Sequence, residues 1–385
     1  MNLTTFDNDL VGWKDFSVRL HEYIDVEHHF VKGSFVIALT APFGSGKSTF
    51  INMWKDHLEK SDADSVPHLS VLNAWEADYC GAPLFALIHA LLKAFPENSN
   101  LANQVRNAAS DIGWFSSALL NQFVSHLTGL DPFAAGELAE TKKENREKET
   151  FKRYDEFTEF EGRLEAMKKL KYCLASLINS DERQTVIIVD ELDRCRPDYA
   201  INYLETINHI FDIQGLVFIL AVDKEQLKSS AKVAFGSGLN FEEYFRKFAN
   251  SQVALPPAKD ESYSNITQKY IDEYFSVEMN NRYTMKLENI NNKDICSLLT
   301  SFQLTLRQSQ EVFRLISHLV SSKIKIERKL RGGYIPAVML MAVLKVNDLP
   351  LFHELKSNSC SAKDIYDNFS KRMEKDDAIF WSMLC

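Results

Sequence analysis

Ser34-Phe35-Val36-Ile37-Ala38-Leu39-Thr40 runs into Ala41-Pro42-Phe43-Gly44-Ser45-Gly46-Lys47-Ser48-Thr49, and then into Phe50-Ile51-Asn52-Met53-Trp54. An apolar β-branched run, a loop of small residues and a helix opener in that order are a strand, a tight turn and a helix. The loop follows the pattern G-x-x-x-x-G-K-[ST], with Ala41 in place of the first glycine. Converging backbone N–H groups on phosphate oxygens requires residues such as Gly44 and Gly46 that tolerate unusual dihedrals. A helix starting near Lys47 turns its positive end toward the anion. Gly44, Ser45, Gly46, Lys47, Ser48 and Thr49 are therefore the expected phosphate-binding residues. Lys47 reaches the β and γ phosphates, and the Ser48 hydroxyl is the expected Mg²⁺ ligand. The expected ligand is a nucleoside triphosphate, Mg-ATP first among them.

Four more short aliphatic runs read as strands: His68 to Leu72, Thr185 to Val189, Leu216 to Val222 and Gln252 to Leu255. Continuous runs such as Val186-Ile187-Ile188-Val189 suit central parallel strands covered on both faces. Strands alternating with helical sequence predict an α/β sheet. The chain divides on this reading into a core (1–80 and 181–258), a helical insertion (81–180) and a C-terminal helical region (259–385). Pro256-Pro257 is the clearest break. Helices are predicted at Pro83 to Ala94, Ile112 to Leu127 and about Phe157 to Ile178. Glu137 to Arg153, dense in both charges, reads as a solvated helix or connector.

The third run exits into Asp190-Glu191-Leu192-Asp193-Arg194. A carboxylate at the end of a buried strand completes the Mg²⁺ shell in phosphate-loop enzymes, and Asp190 fits that role. Glu191 would orient and polarise the attacking water. Asp223, at the end of the fourth run, either senses the γ-phosphate or caps the helix that follows, or does both. Arg246, just before the fifth run, is a candidate finger for a neighbouring subunit, and Arg307 a candidate lid contact. Each has the alternative of an ordinary surface arginine.

Composition sets limits. The 385 residues are 45% hydrophobic and 25% charged, with a net charge of −9. An acidic balance argues against bulk coating of nucleic acid, which needs a basic footprint. Lys323, Lys325, Arg328, Lys329 and Arg331 form a basic cluster, read either as a nucleic-acid or partner contact or as a solvated helix end. The stripe from Phe115 to Leu127 packs within a helical domain or serves as a membrane-surface or partner face. The six cysteines lack metal or C-x-x-C spacing and read as reduced thiols of a cytoplasmic protein. Neither a leader peptide nor a membrane span is expected.

Together, Ala41 to Thr49, Leu72-Asn73-Ala74-Trp75-Glu76, Ile188 to Cys195 and Tyr244 to Pro257 make the chain resemble the KAP family of P-loop NTPases, relatives of STAND and AAA+ ATPases. Asp9-Leu10-Val11-Gly12-Trp13 resembles the family's lead-in near the adenine. The likeness runs over about residues 5 to 320. It implies a P-loop core with a five-stranded, mostly parallel sheet of order 5-1-4-3-2, and ATP rather than GTP. It also implies conformational or assembly work, by a homo-oligomer or with an effector protein, in a setting such as bacterial anti-phage defence. Many relatives insert transmembrane hairpins where this chain has only amphipathic helical sequence. The readings that compete with an ATPase are an ATP-gated scaffold with negligible turnover and a DNA-engaged ATPase.

Overall fold

The computed structural model describes residues 5–60, 67–95, 99–114, 156–180, 183–257, 260–275, 292–321 and 334–384. The elements in chain order are α1 (Lys14–Glu27), β1 (Phe35–Thr40), α2 (Lys47–Glu59), β2 (His68–Asn73), α3 (Ala74–Asp78), α4 (Pro83–Ala94), α5 (Asn100–Trp114) and α6 (Glu156–Ile178). They continue with β3 (Thr185–Asp190), α7 (Pro197–Ile210), β4 (Leu216–Val222), α8 (Lys224–Phe235), α9 (Phe241–Phe245) and β5 (Ser251–Ala254). The C-terminal helices are α10 (Asp260–Phe275), α11 (Asn292–Ser301), α12 (Leu306–Ser321), α13 (Tyr334–Asn347), α14 (Leu349–Lys356), α15 (Ala362–Phe369) and α16 (Lys375–Ser382).

The chain forms two compact units, one of residues 18–42 and 51–255, the other of residues 1–17, 43–50 and 256–385. The first holds the whole sheet, of order β2-β3-β4-β1-β5, the expected 5-1-4-3-2 taken from the other edge. Every pairing is parallel, so the sheet is more uniform than the mostly parallel one expected. The reason lies in burial. All six residues of β3 and all seven of β4 are buried, which leaves no solvated face on these strands. Val36 and Ala38 of β1, Ile187 and Val189 of β3, and Phe218 and Leu220 of β4 share one core with Leu87 and Leu91 of α4 and Tyr203 and Leu204 of α7.

Register brings the strand ends level. Thr40 of β1 pairs with Val222 of β4, and Ala221 beside it pairs with Asp190 of β3, which pairs with Asn73 of β2. The ends of β1 and β3 thus flank one intervening strand, roughly 10 Å apart at ordinary strand spacing. Helices α5 and α6 pack together, and an ion pair joins them, Lys169 to Asp111 at 2.9 Å.

In the other unit, α12 packs on α10 and α13, and α13 on α14. Its interior includes Leu298, Phe313, Val343, Phe369 and Trp381. Asp348 caps α14 and accepts from Arg372 at 2.7 Å.

Of the helix expected over Ile112 to Leu127, residues 112–114 belong to α5, which starts at Asn100, and the rest lies outside the described residues. The Phe115–Leu127 stripe, the Glu137–Arg153 charge run and the basic cluster of 323–331 lie outside the described residues. Among the described residues, no helix is long and apolar enough to cross a membrane. Cys80, Cys173, Cys195, Cys296 and Cys360 are free thiols.

Truncating Ile188, fully buried in β3, tests whether this sheet carries the unit's stability. Urea unfolding of Ile188→Ala should report a loss of about 2–5 kcal/mol.

Candidate functional site: a phosphate loop and an acidic strand end

The loop leaves the sheet at Ala41, whose N–H donates to Val222 O at 3.2 Å. Ala41 is absent from the residues with positive φ, so the missing first glycine costs the turn no strain. Gly44 and Gly46 do adopt positive φ, +79° and +101°. These are conformations an L side chain resists by roughly 1–2 kcal/mol. Lys47 opens α2 and is 8% exposed, Ser48 is exposed, and Ser45 and Thr49 are half-buried. A loop so shaped before a helix N-terminus suits an anion.

The surroundings of the loop within its own unit were not legible from its motif. Asp9 accepts from Val11 N, Gly12 N and Lys14 N at 2.8–3.0 Å, which folds the lead-in into a turn. That turn delivers Trp13, 1% exposed, whose indole N–H donates to Pro256 O at 3.0 Å. Trp13 stands edge-on to Phe50 at 6.0 Å, and its ring would lie 2.6 Å from a Cβ placed on Gly46. Arg307 reaches the loop as well. Its backbone N–H donates to Gly44 O at 3.2 Å, and its guanidinium carbon lies 5.1 Å from the Phe43 ring centre.

The acidic strand end is built in the sheet-bearing unit. Asp190, the last residue of β3, is 8% exposed, and its Oδ1 accepts from Glu191 N at 2.9 Å. Glu191 has φ 62° and ψ 22°, left-handed for a residue with a Cβ. Such a backbone costs about 1–3 kcal/mol and persists only where neighbours over-determine it. Here Glu191 O accepts from Arg194 N at 3.1 Å and from the Cys195 thiol at 3.7 Å. Burial, reinforced by the charges of Asp78, Asp193 and Glu191, pushes that thiol up to about 12, so it stays protonated and able to donate.

Both carboxylate oxygens of Glu191 have partners. Oε1 forms an ion pair with Arg194 Nη1 at 2.9 Å, and Oε2 accepts from Asn73 Nδ2 at 3.2 Å. Asn73 sits 118 residues away in sequence, and parallel pairing of β2 with β3 closes that gap. Sequence reasoning did not include Asn73 or Arg194 among the site residues. The three-residue spacing of Glu191 and Arg194 was a usable signal for the latter.

Asp223 caps α8, accepting from Glu225 N at 3.1 Å. Arg246 ends α9 and is exposed. Lys224 anchors its neighbourhood, donating to Glu242 at 2.7 Å and to Gln252 at 2.8 Å. The hydrogen bond from Lys224 holds the Glu242 carboxyl below its ordinary range. Among the described residues, no group of three or more His, Cys, Asp or Glu is arranged to hold a metal. A magnesium ion that arrives with phosphates asks for less. Oxygen donors are the right chemistry for it, with phosphate and water oxygens supplying most of an octahedron.

The KAP family P-loop domain matches residues 14–322. No curated protein matches the chain. Similar solved structures include the Aeropyrum pernix ORC2 protein in ADPNP–ADP complexes, at 11% identity and a TM-score of 0.38, covering 92% of this chain and 72% of that one. The ADP form of the same protein gives 10% identity and a TM-score of 0.38, covering 91% and 70%. A likeness this loose carries no argument about activity.

Two outcomes follow from the geometry. Gly46→Ala must displace the Trp13 ring and strain the loop, so the melting temperature should fall and nucleotide binding weaken in a fluorescence titration. Iodoacetamide at pH 8 should label exposed Cys80 well before Cys195, read by peptide mass spectrometry.

Proposed function

The chain belongs to the KAP family of P-loop NTPases, and on that footing we propose that it binds Mg-ATP and hydrolyses it to drive a change of conformation or assembly. The observation that carries this reading is the strand end itself. A buried Asp190 and a Glu191 held by two side chains stand one strand away from the strand that bears the phosphate loop.

In this reading the backbone N–H groups of Gly44, Ser45 and Gly46 cradle the phosphates, with Thr49 following in the first turn of α2. Lys47 neutralises charge on the β and γ phosphates. Ser48 and Asp190 hold the magnesium ion, whose charge offsets that of the phosphates. Glu191 orients a water for in-line attack and takes up its proton. Asp223 lies at the next strand end, where a polar side chain can touch that water or the γ-phosphate while still capping α8. Arg307 contributes from the lid side. Arg246, exposed and exterior, supplies positive charge to the site of a neighbouring subunit, which ties turnover to assembly.

A second reading is favoured by the same carboxylate. With Asn73 and Arg194 on its two oxygens, Glu191 is restrained from serving water. A chain held in that arrangement until an effector docks would act as an ATP-gated scaffold with little turnover.

The deciding experiment is ATP turnover at rising protein concentration for wild type, Glu191→Gln and Arg246→Ala. On the ATPase reading, specific activity rises with concentration. Glu191→Gln retains ATP while losing about 10²-fold or more in rate. Arg246→Ala is inactive alone and regains activity when mixed with Glu191→Gln, since each supplies what the other lacks. Wild type no faster than Glu191→Gln despite tight ATP binding sinks the hydrolase reading and leaves the scaffold.

A further inference from the structure

Helix α3 has five residues, Ala74–Asp78, too few to hold a helical turn by themselves. Its placement therefore depends on what grips its ends, and both ends are gripped by the segment that carries Glu191. At the N-terminus, Asn73 Oδ1 accepts from Trp75 N at 3.0 Å and from Glu76 N at 3.2 Å. Capping through the oxygen turns the amide nitrogen outward, where it donates to Glu191 Oε2 at 3.2 Å and to Glu76 Oε1 at 3.3 Å. At the C-terminus, Asp78 is buried, with 7% of its surface exposed.

Arg196, only five residues beyond Glu191, takes up that carboxylate completely. Its Nε and Nη2 donate to Asp78 Oδ1 at 3.0 and 2.8 Å, and its backbone N–H donates to Oδ2 at 3.0 Å. Nη2 also reaches the Asp78 carbonyl at 3.5 Å. The Arg196 side chain is itself 65% exposed, so it contributes little to the core beyond this contact. Between the two grips, Arg194 pairs with Glu191 Oε1 and lies 6.0 Å from the centre of the Trp75 ring on α3. The result is a closed loop of contacts, from Glu191 through Asn73, α3, Asp78 and Arg196 back along the chain to Glu191.

We propose that Asp78 and Arg196 are positioning residues that set the orientation of the Glu191 carboxylate, acting through α3 and the Asn73 amide. The proposal rests on the reading of Glu191 as the group that orients water. A buried carboxylate gripped in a fixed geometry fixes where α3 stops, and a helix this short passes that position on to its cap. Releasing the C-terminal grip lets α3 shift, and the Asn73 amide then no longer meets Oε2. Angular errors of this kind tell in the rate and spare the binding of nucleotide.

The test is a double-mutant cycle on the full chain, with kcat for ATP and Kd for AMP-PNP as readouts. Asn73→Ser keeps a capping oxygen but removes the amide that reaches Glu191. In the wild-type background, Arg196→Ala and Asp78→Asn should each lower kcat about tenfold, with Kd for AMP-PNP changed by less than about twofold. In the Asn73→Ser background the same substitutions should change kcat by less than about twofold, because the route they act through is gone. Arg196→Lys keeps the charge without the planar donor pair and should fall between. It also serves, with thermal melts of every variant, where Asp78→Asn fails to fold. Losses that multiply with Asn73→Ser, a kcat in Arg196→Ala that is unchanged or raised (as it would be if the Asn73 contact held Glu191 away from water), or a raised Kd for AMP-PNP would each overturn the proposal. If wild type is no faster than Glu191→Gln, the hydrolase reading fails and takes the proposal with it. That outcome is seen without any clamp variant, whereas failure of the clamp alone leaves wild type active.

Discussion

A parallel strand buried on both faces meets water only at its ends. In this chain β3 and β4 are buried along their whole length, and five of the six residues of β1 are buried. Polar chemistry is thereby confined to the edge where parallel strands finish together. Asn73, Asp190 and Asp223 stand at or directly after three such ends, and the phosphate loop departs from a fourth. Parallel pairing also brings the ends of β2 and β3 level, although more than a hundred residues separate them in the chain. The apolar interior is thus what gathers the polar groups.

Local strain is confined to the same edge. Gly44 and Gly46 carry their positive φ without a side chain to object, but Glu191 carries φ 62° with one. The chain holds that residue by its own backbone contacts, to Asp190, Arg194 and Cys195, and by two side-chain contacts, to Arg194 and Asn73. A protonated, buried Cys195 suits this arrangement, because a thiolate beside Glu191, Asp193 and Asp78 would add a fourth negative charge. The acidic residues and then the basic ones follow within seven residues, from Asp190 to Arg196. With Arg194 and Arg196 close behind Glu191, one short exit segment satisfies the buried Asp78 carboxylate and restrains the partly buried Glu191 carboxylate.

Much of the fold could be read in one dimension. Five aliphatic runs gave five strands, displaced by a residue at most at either end, and the helix over Pro83 to Ala94 matches α4. Runs such as Val186-Ile187-Ile188-Val189 are unambiguous because a strand buried on both faces needs apolar residues at every position. The loop motif was legible for a related reason. Its glycines, lysine and serine are contiguous, and the backbone demands of the turn are local. The expected start at Ile112 missed the true start of its helix, since residues 112–114 belong to α5, which begins at Asn100. Amphipathic periodicity marks a face without marking where a helix starts.

What the sequence determined by itself was the family, the strands and the contiguous motif from Ala41 to Thr49, because each depends on residues adjacent in the chain. The sheet order came with the family likeness and agrees with the structure. Only the tertiary structure decided which side chains surround Glu191, what Trp13 and Arg307 lie against, and which arginine holds Asp78. Asn73 meets Glu191 across 118 residues, and Trp13 reaches Pro256 across 243. No periodicity or spacing records a contact of that range. It exists only once the sheet is paired and a buried donor or acceptor must find its partner from whatever the fold has brought near.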